Sequence, residues 1–243
     1  SRVEDSYPWL LEDRLRANHP GIGVFNAGHL AHTLFDDLLL LRRDLVRLSP
    51  DVITLYVGAN DGYPAWWTGG ESLEASWRAI NAVTGRGLLG RLGLWLPRQR
   101  LFVGLNRLIE ALRPFPSRLA VEVPPERFEA NLREFAAICR ARGIGLVLVH
   151  EVMVEDLHLA HPSHAAYHEI LDRVGRELRL PVIDPRPLFR AHLDDGWLVD
   201  PVHPSPAGNR ALADLMAPAV ERQIAEHLGS EPATPETIAP VLM

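Results

Sequence analysis

A three-layer α/β/α sandwich around a parallel sheet is the fold this sequence predicts, and three observations carry the prediction. Segments of helical apolar period alternate with short β-branched runs in the order α-β-α-β-(insert)-α-β-α-β-α. The two clearest strands, Val52-Ile53-Thr54-Leu55-Tyr56-Val57 and Gly145-Leu146-Val147-Leu148-Val149-His150, are almost continuously apolar, as strands covered on both faces must be. A length of 243 residues, 47% hydrophobic and 23% charged, suits one large globular core and excludes collagen-like, mostly disordered and disulfide-stapled chains.

Each element has its own local reason. Residues 7–17 predict a helix with Pro8 in its first turn and Ser6 as its cap. Gly23-Val24-Phe25-Asn26 reads as a short strand, and a helix follows from about Thr33 to Leu48, with Leu34, Leu38, Leu41 and Leu45 on one face. Ser49-Pro50 stops that helix before the Val52–Val57 strand. A helix is expected from Pro125 to Arg142, with Phe128, Leu132, Phe135 and Ile138 on one face and Gly143 as its terminator. Next come the Gly145–His150 strand, a helix over about Ser163–Arg179, a short strand Val182-Ile183-Asp184, and a last helix over Pro206–Leu228 capped by Ser205. Residues 1–228 therefore read as one domain carrying a helical insert at about 86–123. Residues 229–243, with three prolines and no aromatic, read as a flexible tail.

Charge and composition exclude some functions. The net charge of -6 argues against general nucleic-acid binding, which needs a basic face. Seven arginines and one acid between Arg86 and Arg118 make that segment +6 and leave -12 on the remainder. The single cysteine, Cys139, forms no intrachain bridge and is expected in a helix core. No apolar stretch approaches the ~18 residues of a membrane span, so no transmembrane segment is expected.

In a parallel sheet the loops at the carboxyl ends of the strands hold the ligands. Three motifs fall at or beside such loops. Gly58-Ala59-Asn60-Asp61-Gly62 leaves the Val52–Val57 strand; it is a turn by composition, and Asn60 could aim an amide N–H at a developing oxyanion. Asp200-Pro201-Val202-His203-Pro204 precedes the last helix; it is loop punctuation, or a carboxylate placed to fix an imidazole tautomer. Asn26-Ala27-Gly28-His29-Leu30-Ala31-His32-Thr33 joins a strand to a helix amino end, where backbone N–H groups can bind negative charge.

Taken together and in order, Asn26-x-Gly28, Gly58-x-Asn60-Asp61 and Asp200-x-x-His203-Pro204, with the Ser6-Tyr7-Pro8-x-Leu10-Leu11 opening, resemble the SGNH/GDSL hydrolase family over essentially the whole chain. The resemblance implies a flavodoxin-like three-layer fold and a Ser-His-Asp mechanism acting on a carbohydrate O-acyl, lipid or small acyl ester, with no metal or organic cofactor. It implies His203 as general base, Asp200 as its orienter and Asn60 as oxyanion donor. An O-acyltransferase on a polysaccharide, or a non-catalytic binding module on the same fold, are the alternatives.

The sequence departs from the family pattern in two places. The Gly-Asp-Ser nucleophile motif closes the family's first strand about a dozen residues before the pair matched here by Tyr7-Pro8. That strand and its serine are therefore expected before Ser1, and the 243 residues alone are expected to show almost no turnover. Neither Ser1 nor Ser6 stands in such a motif. The family glycine that donates a backbone N–H falls on Ala31, which is carried as the donor, with Gly28 as a turn former.

Three further features are read from the residues. Tyr63, Trp66 and Trp67 follow the Asn60 turn and either line a substrate pocket or anchor their loop. The arginine-rich insert reads as a surface helix, with a membrane-surface contact as the lesser alternative. His158, His161, His164 and His168 read as a solvated histidine patch rather than a zinc site.

Overall fold

The computed structural model describes residues 3–29, 32–62, 123–153, 163–200, 202–227 and 241–242. The chain divides into two compact units, residues 1–62 with 123–243, and residues 63–122; the sheet and every element named below belong to the first.

The helices are α1 (Tyr7–Arg16), α2 (Leu34–Arg43), α3 (Pro125–Ala141), α4 (Ser163–Leu178), α5 (Arg186–Ala191) and α6 (Pro206–His227). The strands are β1 (Val24–Phe25), β2 (Val52–Val57), β3 (Gly145–His150), β4 (Val182–Ile183) and β5 (Val241–Leu242). They form one sheet in the order β1-β5-β2-β3-β4, parallel at every pairing. β2 and β3 run in register along their full length, from Val52 opposite Gly145 to Val57 opposite His150.

Alternation along the two central strands builds two cores. Ile53, Leu55, Val57, Leu146 and Leu148 face Leu34, Leu38 and Leu41 of α2, Phe128, Leu132 and Phe135 of α3, and Leu171 of α4. Val52, Val147 and Val149 face Leu11 and Leu15 of α1, Phe189 of α5, and Leu212, Met216 and Val220 of α6. The sheet is thus covered on both faces, which is why its strands read as nearly continuous apolar runs. Cys139 is buried in the first core.

Local chemistry sets the boundaries. Thr33 caps α2 through a reciprocal box: its Oγ1 accepts from Asp36 N–H at 3.4 Å, and the Asp36 carboxylate accepts from Thr33 N–H at 3.0 Å. The helix expected to reach Leu48 ends at Arg43, and a 3₁₀ turn covers Leu45–Leu48. Ser205 Oγ accepts from Gly208 N–H at the start of α6. Ser6 stands at the N-cap of α1, but its hydroxyl donates back to Val3 C=O at 2.7 Å and makes no cap bond.

Within the stretch read as a flexible tail, Val241–Leu242 is a strand between β1 and β2, pairing with Val24, Phe25 and Ile53. Proline content concealed it, because those prolines precede the apolar Val-Leu-Met end. Helix α5 was not legible either, being a single short turn-and-a-half after Pro185.

Candidate functional site

The exit of β2 is held by several independent bonds. Gly58 takes φ +131, a conformation open to glycine. Asn60–Gly62 then makes one 3₁₀ turn, and a Cβ on Gly62 would collide with the His164 ring. The carboxylate of Asp61, 1% exposed, accepts the N–H of Leu34 at 3.0 Å and so ties this turn to the first residue of α2. Burial pushes the Asp61 carboxyl well above its ordinary range, against the lowering effect of the Leu34 bond. From the other side, Tyr167 of α4 sends its hydroxyl to Asp61 C=O at 3.0 Å and Val123 C=O at 2.6 Å.

Asn60 therefore sits on a braced turn. Its Nδ2 donates to His32 C=O at 2.9 Å, across the loop between β1 and α2. In that loop Asn26 Oδ1 accepts from Gly28 N–H at 3.0 Å, the Asx turn that makes Gly28 a turn former. Asn26, Gly28 and Asn60 share the wall of one cavity of about 270 Å³ with Tyr7 of α1, Tyr56 of β2 and Asn209 of α6.

Asp200 and His203 form a second constellation on the loop before α6. His203 Nδ1 lies 2.7 and 2.8 Å from the two Asp200 oxygens. The same carboxylate accepts the N–H groups of Val202 at 3.0 Å and of His203 at 2.9 Å. Partial burial works against the charge on Asp200, but these bonds outweigh it and hold the carboxyl below its usual value. Backbone bonds from Val199 N–H to His203 C=O and from Ser205 N–H to Trp197 C=O pin the loop at both ends. With Nδ1–H given to Asp200, the ring's Nε2 presents a bare lone pair, and the imidazole is 66% exposed.

The structure thus brings Asn60 and Gly28 into one cavity wall and pairs Asp200 with His203. That wall includes neither Asp200 nor His203. The first turn of α6, which follows their loop, reaches the cavity through Asn209. Ala31, Tyr63, Trp66 and Trp67 lie outside the described residues, as do His158, His161 and the arginine-rich insert.

His164 and His168 correct the reading of a solvated patch: both are 6% exposed and face inward. His164 Nε2 lies 3.1 Å from Ala59 C=O, so it donates there. His168 Nδ1 meets His150 Nδ1 at 2.8 Å, and His150 Nε2 meets Asp172 Oδ1 at 2.9 Å. Burial, with help from nearby Arg186 and His150, pulls His168 down to about 3. The i, i+4 spacing was legible, but the amphipathic phase of α4 turns both rings toward the ends of β2 and β3. Among the described residues no group of three or more His, Cys, Asp or Glu is placed to hold a metal. No helix among them is long and apolar enough to cross a membrane.

Sequence reasoning missed Glu151, the residue after β3. Its carboxylate accepts the N–H of Ala59 and lines the cavity. Burial raises it from 4.5 to about 7, the Ala59 bond opposing and Asp37 adding. An acid directly after an apolar strand was the available signal.

This topology and these side chains describe a layered α/β fold with an Asp-His pair on the loop before its last helix, the class to which ester-cleaving hydrolases of the family below belong. More narrowly, the profile of the GDSL-like lipase/acylhydrolase family matches residues 1–211, and the chain belongs to that family. Among solved structures, the acetyl xylan esterase AlAXEase is similar, with TM-score 0.58 and 19% identity over 89% of this chain and 91% of that one. A variant of Axe2, an acetyl xylan esterase from Geobacillus stearothermophilus, gives TM-score 0.54 and 18% identity over 93% and 84%. The lipase/acylhydrolase from Enterococcus faecalis gives 0.55 and 18% over 88% and 84%. A comparison with curated proteins found no match.

Proposed function

We propose that this chain cleaves a carbohydrate O-acyl or small acyl ester by a Ser-His-Asp mechanism. The observation that carries the reading is the Asp200–His203 pair, with Nδ1 engaged and Nε2 without a partner among the described residues, in a member of an ester-cleaving family. His203 Nε2 takes the proton of an attacking serine hydroxyl, and the oxygen forms a bond to the ester carbonyl carbon. Asp200 holds the tautomer and stabilises the imidazolium. Asn60 Nδ2, with the backbone N–H of Ala31 and that of the serine, holds the oxyanion. The imidazolium returns its proton to the leaving alkoxide, and a water deprotonated by His203 releases the acid. The serine this mechanism needs is that of a Gly-Asp-Ser motif, which does not occur among these 243 residues. The acetyl xylan esterases of like fold support acetylated sugars as the first substrates to try.

The test is hydrolysis of 4-nitrophenyl acetate and acetylated xylo-oligosaccharides by the chain preceded by an apolar strand ending in Gly-Asp-Ser. His203→Ala and Asp200→Asn should each lower kcat by roughly 10³-fold or more. Full turnover in His203→Ala would remove the proposal.

A further inference from the structure

The bonds that pair Asp200 with His203 join residues no more than three positions apart, and both side chains are exposed. They fix the pair's internal geometry and leave its placement on the fold to the stem of the loop. That stem is a short antiparallel hairpin: Leu198 bridges Pro204, Val199 N–H donates to His203 C=O at 2.9 Å, and Ser205 N–H donates to Trp197 C=O at 2.8 Å. One side of the stem continues into α6. The other begins at Trp197, after Gly196 turns the chain at φ 68.

Trp197 is where the stem meets the core. Its indole packs among the α6-side core residues, edge to face with the fully buried Phe189 ring of α5, at 5.6 Å between centroids. The His192 imidazole lies flat on the indole, 4.1 Å between centroids and 9° from parallel. His192 Nδ1 stands 2.6 Å from Asp195 Oδ2, a bond that fixes the imidazole's rotation in its own plane. The first turn of α6 closes on the Trp197 carbonyl, which a Cβ on Gly208 would strike.

The structure assigns His192 and Trp197 as positioning residues: the stacked rings, steered by Asp195, hold the hairpin stem and so set where His203 Nε2 stands on the fold. Planar rings suit this task, because they resist tilting and have few rotatable bonds to order. Under the proposed function, on which this step rests, a displaced imidazole meets the serine hydroxyl at the wrong distance, and shifts of about 1 Å are enough to slow proton transfer. His192 is the informative member, since its ring is partly exposed and its removal opens no hole in the core.

The test follows amide hydrogen exchange residue by residue in the full chain. His192→Ala should speed exchange about tenfold or more at Val199, Val202, His203 and Ser205, with the amides of β2 and β3 unchanged. Trp197→Leu should loosen the same four amides further. His192→Phe keeps a stacked ring without the Asp195 bond and should bring the rates back to within about threefold of the parent chain. Unchanged rates in His192→Ala, no recovery in His192→Phe, or a rise shared equally by β3 would overturn the assignment. In the serine-bearing chain used to test hydrolysis, His192→Ala should lower kcat on 4-nitrophenyl acetate about 10- to 100-fold, with KM within about twofold. An unaltered kcat beside loosened amides would also overturn it. Loosening confined to the hairpin, with no turnover even in the serine-bearing parent, upholds the positioning role and counts against the hydrolytic reading alone.

Discussion

Glu151 shows how one side chain at a strand exit can set a pH response. Its carboxyl rises from 4.5 to about 7 because burial disfavours the charge more than the Ala59 N–H favours it. Between those values the unfolded chain has released a proton that the folded chain keeps, so stability falls as pH rises through the window and levels above it. The shift corresponds to at most about 3 kcal/mol. Glu151→Gln should remove that slope in urea titrations between pH 4.5 and 7, while an unchanged slope would assign it to another group. Asp200 has the opposite sign: its lowered carboxyl keeps His203 paired at neutral pH, and that pairing weakens only in acid. Of these residues, Asp200, His203 and Asn60 were legible because short local spacings place them. Glu151 was not, because its acceptance of Ala59 N–H joins segments 92 residues apart.

Among the elements, α2 and the turn after β2 form one mechanical unit. Asp61 links the turn to Leu34, and the Thr33–Asp36 box fixes the helix start beside it. Thr33→Ala should cost about 1 kcal/mol of unfolding free energy, read as a lowered urea midpoint at constant slope. Tyr167→Phe removes the hydroxyl serving Asp61 C=O and Val123 C=O, and should cost roughly 1–2 kcal/mol by the same measurement. A loss below a few tenths would show those carbonyls satisfied otherwise. The long apolar elements, β2, β3 and α3, were legible to within a residue because burial on both sheet faces dictates their periodicity. β5 was hidden, since two residues carry no period and their partners lie more than 180 positions away.

At the scale of the molecule, stability in acid follows from the buried His168 of α4. His168 falls from 6.5 to about 3, chiefly through burial, so below pH 6.5 the unfolded chain gains a proton the folded chain refuses. Stability is therefore lost as pH drops from 6.5 toward 3, opposite in sign to the Glu151 effect. His168→Asn should flatten the acid limb of the thermal midpoint against pH, and an unaltered limb would place the linkage elsewhere.

By itself the sequence determined the layered α/β architecture and the family, and it placed Asp200 beside His203 and Asn60 at the exit of β2, because these depend on local period and on neighbours a few residues apart. Tertiary structure decided what depends on distant segments meeting. It turned His164 and His168 inward, set Glu151 against Ala59, and put Val241–Leu242 between strands from the front of the chain. The physical reason is that burial and backbone pairing between remote segments cost and return free energy only when the whole sheet assembles.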